Sequence, residues 1–207
     1  MTTTPVVAID GPAGSGKSTI AKLLAERLNW SFLDTGAMYR AVTALALRQG
    51  IEPQDTLAIA AVAANARIET IPFISINDLD VTIEIRQPAV NHAVSIIAAN
   101  PMVRAAMVER QREWSVRQPV GTVVEGRDIG TVVFPDALLK VFLTASVEER
   151  SRRRGDETAA SIQRRDDIDS NRDHSPLRAD AGAVVIDTTD KDIASVIEEI
   201  VQCLNLR

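Results

Sequence analysis

The chain has 207 residues, 45% hydrophobic and 25% charged, with a formal net charge of −5. That is the makeup of a soluble globular protein of one to two domains with ample length for a core, and the acidity argues against a nucleic-acid binder. A single cysteine, Cys203, rules out an internal disulfide and a thiolate metal cluster, and fits a reducing, cytoplasmic setting.

In chain order, no basic region followed by an apolar stretch opens the sequence, so no signal peptide is expected, and no apolar stretch is long enough to span a bilayer. Val6-Val7-Ala8-Ile9 reads as a buried strand, and residues 19–28 carry apolar side chains at helical spacing. Between them Gly11-Pro12-Ala13-Gly14-Ser15-Gly16-Lys17-Ser18 fits G-x-x-x-x-G-K-[ST] at every fixed position. Such glycines let the backbone point several N–H groups at phosphate oxygens, and the following helix adds the positive end of its dipole. Lys17 then reaches the β- and γ-phosphates, and the Ser18 hydroxyl ligates Mg²⁺. The segment from Gly11 to Thr19 is therefore the expected ATP site.

Residues 30–34 read as a second strand leading into Thr35-Gly36-Ala37-Met38-Tyr39-Arg40, taken as a turn before a helix over 41–48. A helix over 57–66 follows. Residues 71–76, an Asn77-Asp78 turn and residues 81–85 read as an antiparallel hairpin, with room for a further edge strand. This block interrupts the β–α rhythm and suggests an inserted subdomain. Helices over 89–99 and 103–116 precede short apolar strands at 121–124, 138–143 and 183–186, and a helix over 193–204 closes the chain. Strands without clean alternation suit a parallel sheet covered on both faces. The expected fold is α/β, a doubly wound parallel sheet with the glycine loop at the carboxyl end of its first strand.

The guanine-reading and switch motifs of signalling GTPases do not occur. For the acidic strand end of motor ATPases, Asp10 is misplaced and Val124-Glu125 is a poor match. The remaining chemistry lies in arginines: four basic residues are lysine and nineteen arginine, seven of these between Arg150 and Arg172. Arginine suits bidentate grip on phosphate. Arg40 and Arg127 follow predicted strands and suit a second anionic ligand beside ATP; the alternative is surface ion pairing. If residues 164–172 are helical, Arg165, Asp169 and Arg172 share one face, able to hold a ribose hydroxyl and phosphate or merely to pair internally. His92 and His174 are far apart in sequence and read as structural.

Three blocks carry a family resemblance: residues 9–18, Leu33-Asp34-Thr35-Gly36-Ala37-Met38-Tyr39-Arg40, and Gly126-Arg127-Asp128-Ile129-Gly130-Thr131-Val132-Val133-Phe134-Pro135-Asp136-Ala137, with Arg165-Asp166-Asp167 and Asn171-Arg172. Over essentially its whole length the sequence resembles the bacterial cytidylate kinases of the P-loop nucleoside monophosphate kinase superfamily. The resemblance implies a core over 1–56 and 104–207, an inserted monophosphate-binding subdomain over 57–103, and a short lid near 154–161. It implies transfer of the ATP γ-phosphoryl group to CMP or dCMP with Mg²⁺, by a cytoplasmic monomer with no nucleic-acid or membrane partner. It places Thr35, Arg104 and Asp128 at the cytosine, with Tyr39 among the substrate contacts. Ser95, Arg165 and Asp169 fall near the ribose, Arg40, Arg127 and Arg172 at the acceptor phosphate, and Arg153 near the adenine of ATP. Lys17, Arg40, Arg127 and Arg172 are then the catalytic set. Another P-loop small-molecule kinase and a non-catalytic nucleotide-binding module stay open as alternatives.

Overall fold

A computed structural model describes residues 4–155, 158–171 and 176–206, without the side chain of Arg165. In chain order the elements are β1 (Val6–Asp10), α1 (Lys17–Leu28), β2 (Ser31–Asp34), α2 (Thr35–Arg48), α3 (Thr56–Ala64), β3 (Ile68–Glu69), β4 (Ser75–Ile76) and β5 (Leu79–Asp80). A 3₁₀ turn (Glu84–Arg86) leads to α4 (Pro88–Ala99), α5 (Pro101–Val116) and β6 (Thr122–Gly126). After a π-helical turn (Ile129–Val133) come β7 (Leu139–Thr144), α6 (Val147–Arg154), α7 (Ala159–Ser170), β8 (Val184–Asp187) and α8 (Ile193–Asn205). The chain forms two compact units, Met1–Leu33 with Arg112–Arg207, and Asp34–Gln111.

The first unit holds a five-stranded sheet in the order β2-β6-β1-β7-β8. β1 pairs in parallel with β6 and β7, and β7 with β8. Every residue of β1 and β6 is buried, as the unbroken apolar runs predict. On one face α1 and α8 pack Ile20, Leu24, Val196 and Ile200 against Val7, Ile9, Val123, Val141 and Ile186. The register sets Ile9 beside Glu125 and Asp10 beside Gly126. The strand ends that carry the glycine loop and the Gly126-Arg127-Asp128 segment therefore finish side by side, as open α/β sheets require of a site.

The second unit contains the antiparallel sheet β3-β4-β5 and helices α2 to α4 with most of α5. The Asn77-Asp78 turn is present, both residues having positive φ (50° and 65°), which these short polar side chains tolerate. The further strand is β3. The segment 81–85 is not a strand: Ile85 N–H bonds to Val81 O at 2.9 Å, and the chain enters the 3₁₀ turn. Residues 35–40 are likewise not a turn but the start of α2, because the Asp34 carboxylate caps the helix by accepting from Ala37 N at 2.8 Å. α7 is helical over Ala159–Ser170 and carries Asp169. Arg172 and His174 lie outside the described residues. The lid expected near 154–161 covers the end of α6, the start of α7, and Asp156 and Glu157, which are also outside them.

Candidate active site

The glycine loop is shaped by what surrounds it. A Cβ on Gly11 (φ +148°) would stand 2.0 Å from Leu143 O, and one on Gly14 (φ +78°) 2.8 Å from Arg150 O. Strand β7 and helix α6 thus press on the loop where only glycine fits. The loop delivers the chain into α1 at Gly16, which offers no side-chain cap. Five other helices are capped by Asp34, Asp55, Ser146, Thr158 and Asp192. The first N–H groups of α1, with no acidic residue in its first turn, are thus left for an anion from outside the chain. The Ser15 hydroxyl, fully buried in the loop, has no hydrogen-bond partner among the described residues.

Lys17 is buried and donates Nζ to Pro12 O at 2.7 Å. Burial, helped by the Arg127 guanidinium, pushes its ammonium down to about 7, against the pull of the Glu125, Asp10 and Asp169 carboxylates. One residue on, Ser18 Oγ donates to Glu125 Oε1 at 2.7 Å. Glu125 closes the apolar run of β6 on the strand beside β1, so the poor acidic strand end of the sequence is in place next to the Ser18 hydroxyl. Hydroxyl and carboxylate are hard oxygen donors of the kind Mg²⁺ takes. No group of three His, Cys, Asp or Glu among the described residues could hold a metal by itself.

Past Glu125 the chain turns through Arg127 and Asp128 into the π-helical turn. Arg127 donates Nη1 to Gly11 O and Nε to Asp169 Oδ2 at 2.8 Å, its side chain 20% exposed and that of Asp169 3%. Arg127 is therefore held inside the protein, paired with a buried carboxylate, and is not a surface ion-pair former. Asp128 is buried. Behind this turn the Asp10 carboxylate accepts from Ile129 N and Gly130 N, each at 2.7 Å. Burial raises the Asp10 pKa to about 6 despite those two bonds, with Asp128 raising and Lys17 lowering it further.

The other flank of the loop is held by α6 and the β8–α8 connection. Arg150, buried, donates to Ala145 O, Ala13 O and the Asp166 carboxylate. Arg153 donates to Thr188 Oγ1 at 2.9 Å and Thr188 O at 2.6 Å, and the Thr188 hydroxyl lies 3.1 Å from Ser15 O. Arg153 is thus brought to the loop. Glu125, Asp10, Arg150, Asp166 and Thr188 were not among the residues expected from sequence. The apolar runs ending in Asp10 and Glu125 and the Arg165-Asp166-Asp167 block are the local signals that could have found three of them.

The second unit assembles its own group. Thr35 and Arg104 are buried, and the Arg104 guanidinium lies over the Tyr39 ring, 5.8 Å from its centroid, within cation–π range. Arg40 Nη1 donates to Ile85 O at 3.2 Å and to Asn91 Oδ1 at 2.5 Å. Ser95, buried, follows Asn91 by four residues on α4 and shares its face. Asn91 had no local signal at all. The side chain of Arg165 and all of Arg172 lie outside the described residues.

Comparison with known proteins fits this geometry. The family model described as cytidylate kinase matches residues 7–206. A cytidylate kinase of Geobacillus kaustophilus is 45% identical over 218 residues, covering 97% of this chain and 96% of that protein. That of Geobacter sulfurreducens is 45% identical over 212 residues, covering 94% and 90%. A bifunctional pantoate ligase/cytidylate kinase of Trichormus variabilis is 48% identical over 218 residues, of which the match spans 95% of this chain and 40% of that longer protein. Among solved structures, a gluconokinase from Sinorhizobium meliloti superposes with a TM-score of 0.52 at 17% identity over 99% of this chain and 94% of that one, which bears on the fold alone. With a phosphate-binding loop, a paired Ser18 and Glu125 and an Arg127-Asp128 turn at adjacent strand ends, and with relatives matching along its length, the chain belongs to the cytidylate kinase family.

Proposed function

We propose that this protein transfers the γ-phosphoryl group of ATP to CMP or dCMP, giving ADP and CDP or dCDP, by direct in-line transfer. The observation that carries the reading is the uncapped start of α1, with Lys17 and Ser18, set beside the turn that bears Arg127 and Asp128. The acceptor phosphate is mostly dianionic at neutral pH because its second pKa is near 6, so it needs no strong general base. The difficulty is bringing two anions together. Lys17, Arg127, Arg40 and Arg172 offset that repulsion and stabilise the oxygens of the transferring group.

Ser18 and Glu125 fit a magnesium ion that accompanies ATP, Ser18 as ligand and Glu125 as acceptor of that ligand's proton or of a bound water. A magnesium ion held by these two residues would supply charge neutralisation for the phosphates of ATP. The residues from Gly11 to Thr19 and Arg153 serve ATP, with Arg153 at the adenine. Thr35, Arg104 and Asp128 read the cytosine, Tyr39 backing Arg104. Ser95, Arg165 and Asp169 take the ribose. An inserted subdomain over 57–103, a lid near 154–161 and a monomeric cytoplasmic enzyme complete the reading. No helix among the described residues is long and apolar enough to cross a membrane.

The test is ADP release measured across CMP, dCMP, UMP, AMP and GMP. A carboxylate accepting from the cytosine N4 amino group rejects uracil, whose O4 sets acceptor against acceptor, by about 10² or more in kcat/KM. The expected order is CMP and dCMP, then UMP far behind, then purines, with Asp128→Asn narrowing the CMP-to-UMP gap. Equal use of UMP and CMP by the wild-type enzyme overturns the substrate assignment.

A further inference from the structure

We propose that Asp10 is a positioning residue whose buried carboxylate, by binding the Ile129 and Gly130 amides, fixes the turn that presents Arg127 and Asp128 to the acceptor nucleotide. The proposal rests on the reading of Arg127 and Asp128 as acceptor contacts. It starts from the sheet: the β1–β6 ladder holds the chain as far as Gly126, opposite Asp10 itself. Beyond that residue the backbone leaves the sheet, and Asp128 is neither helical nor extended (φ −144°, ψ 28°). The next fixed points are Ile129 N and Gly130 N, both 2.7 Å from the carboxylate oxygens of Asp10. Between the two anchors, Arg127 is tied to the carbonyl of Gly11, the next residue along from Asp10. The end of β1 therefore grips the acceptor-side turn on both flanks of Asp128.

The chemistry explains why the residue is an aspartate. Two successive amides pointing at one place need an acceptor with two oxygens. Asparagine has the same shape but offers one acceptor and one donor, which would leave a buried N–H facing an NH₂ group. Serine or alanine would leave both amides unpaired. A carboxylate is a costly thing to bury, and Asp10 is 5% exposed. Its side chain is no part of the sheet's ladder and no cap for a standard α-helix, so among the described residues its carboxylate hydrogen bonds go to the turn.

The experiment compares wild type with Asp10→Asn, Asp128→Asn and the double variant, measuring kcat and KM for CMP and UMP, binding of ATP alone, and thermal unfolding. Misplacement of catalytic groups by about an ångström costs about 10² in rate, so Asp10→Asn is expected to lose about 10²-fold in kcat/KM for CMP. It should also lose most of the preference for CMP over UMP, while ATP affinity stays within about threefold, since the hydrogen bonds lost go to Ile129 N and Gly130 N and not to the glycine loop. The double variant should be no less selective than Asp128→Asn alone, because both changes disable one reader. Asp10→Asn that keeps wild-type selectivity, while Asp128→Asn loses it, overturns the proposal and leaves the substrate reading standing. Asp128→Asn as selective as wild type overturns that reading and the proposal with it. Loss of ATP binding or of cooperative unfolding in Asp10→Asn shows a general structural role and also overturns positioning; Asp10→Ser, smaller and neutral, must then fail in the same way.

Discussion

Arg127 and Asp169 meet at 2.8 Å between the turn after β6 and the last helical turn of α7, and the same guanidinium reaches Gly11 O. Both groups are proposed to face the acceptor, one its phosphate and the other its ribose. Holding them against each other keeps each aimed and compensates two charges that water reaches poorly. Removing one partner of such a pair leaves the other uncompensated, which costs about 3 kcal/mol for fully buried pairs and less where, as here, the arginine keeps some exposure. Asp169→Ala is therefore expected to lower stability by about 2 kcal/mol in urea unfolding, and Arg127→Ala/Asp169→Ala by less than the sum of the single changes. Strictly additive losses would show that the pair has no energetic coupling.

Asn91 does for Arg40 what Asp169 does for Arg127. Its Oδ1 and the Ile85 carbonyl hold the guanidinium Nη1, so Arg40 does not have to be ordered when a phosphate arrives. Loss of one hydrogen bond to a charged group is worth about 1.5 kcal/mol, roughly tenfold in affinity. Asn91→Ala is expected to raise KM for CMP by about tenfold with kcat changed much less. A KM equal to that of wild type would remove Asn91 from the site.

How far these contacts were legible in the sequence follows from their range. The glycine loop and the strands β1, β6, β7 and β8 are local patterns, and the chain shows them directly. Segment 81–85 was misread because Val81, Ile83 and Ile85 alternate as in a strand. In the structure Val81 and Ile85 are buried and Ile83 is 78% exposed, the i, i+4 pattern of a helical turn. A local polar bond helps to set it, Thr82 N donating to Asp80 Oδ1 at 2.8 Å. Residues 35–40 read as a turn because they follow a predicted strand, whereas Asp34 marks a helix start. Pairings such as Arg40 with Asn91 or Arg150 with Asp166 join residues 51 and 16 positions apart, and no local pattern announces them.

The contact between Ser18 and Glu125 gives a metal-dependent prediction. If the carboxylate orients the hydroxyl that ligates Mg²⁺, replacing it by an amide weakens the metal without touching the loop. Changes at groups that hold a metal ligand cost about 10- to 100-fold in metal affinity. Glu125→Gln should accordingly need at least about tenfold more Mg²⁺ for half-maximal rate and recover substantially at saturating metal. A variant with unchanged Mg²⁺ dependence but low kcat would assign Glu125 another task.

Asp10 supplies a prediction in which stability and function pull apart. Its pKa stands near 6 in the folded protein against an ordinary 3.8, so the folded state holds its proton over a range where the unfolded chain has released it. The sign follows: below pH 3.8 both states are protonated and Asp10 adds no penalty. As pH rises towards 6 the folded form binds more protons than the unfolded one and stability falls; above 6 the penalty is constant. At 1.36 kcal/mol per pKa unit the full penalty is about 3 kcal/mol, and about 2 kcal/mol of it develops between roughly pH 4.5 and 7.5. Asp10→Asn cannot ionise. Its unfolding free energy measured against wild type should shift in favour of the variant by about 2 kcal/mol across that interval, since Asp128 and Lys17, the charged groups facing this position, are present in both proteins. A difference that stays flat with pH would mean that the carboxylate is not penalised by its burial. A shift of the expected sign, in a variant that has lost selectivity for CMP, would show an aspartate kept at a cost to the fold because the turn beside it needs two oxygens.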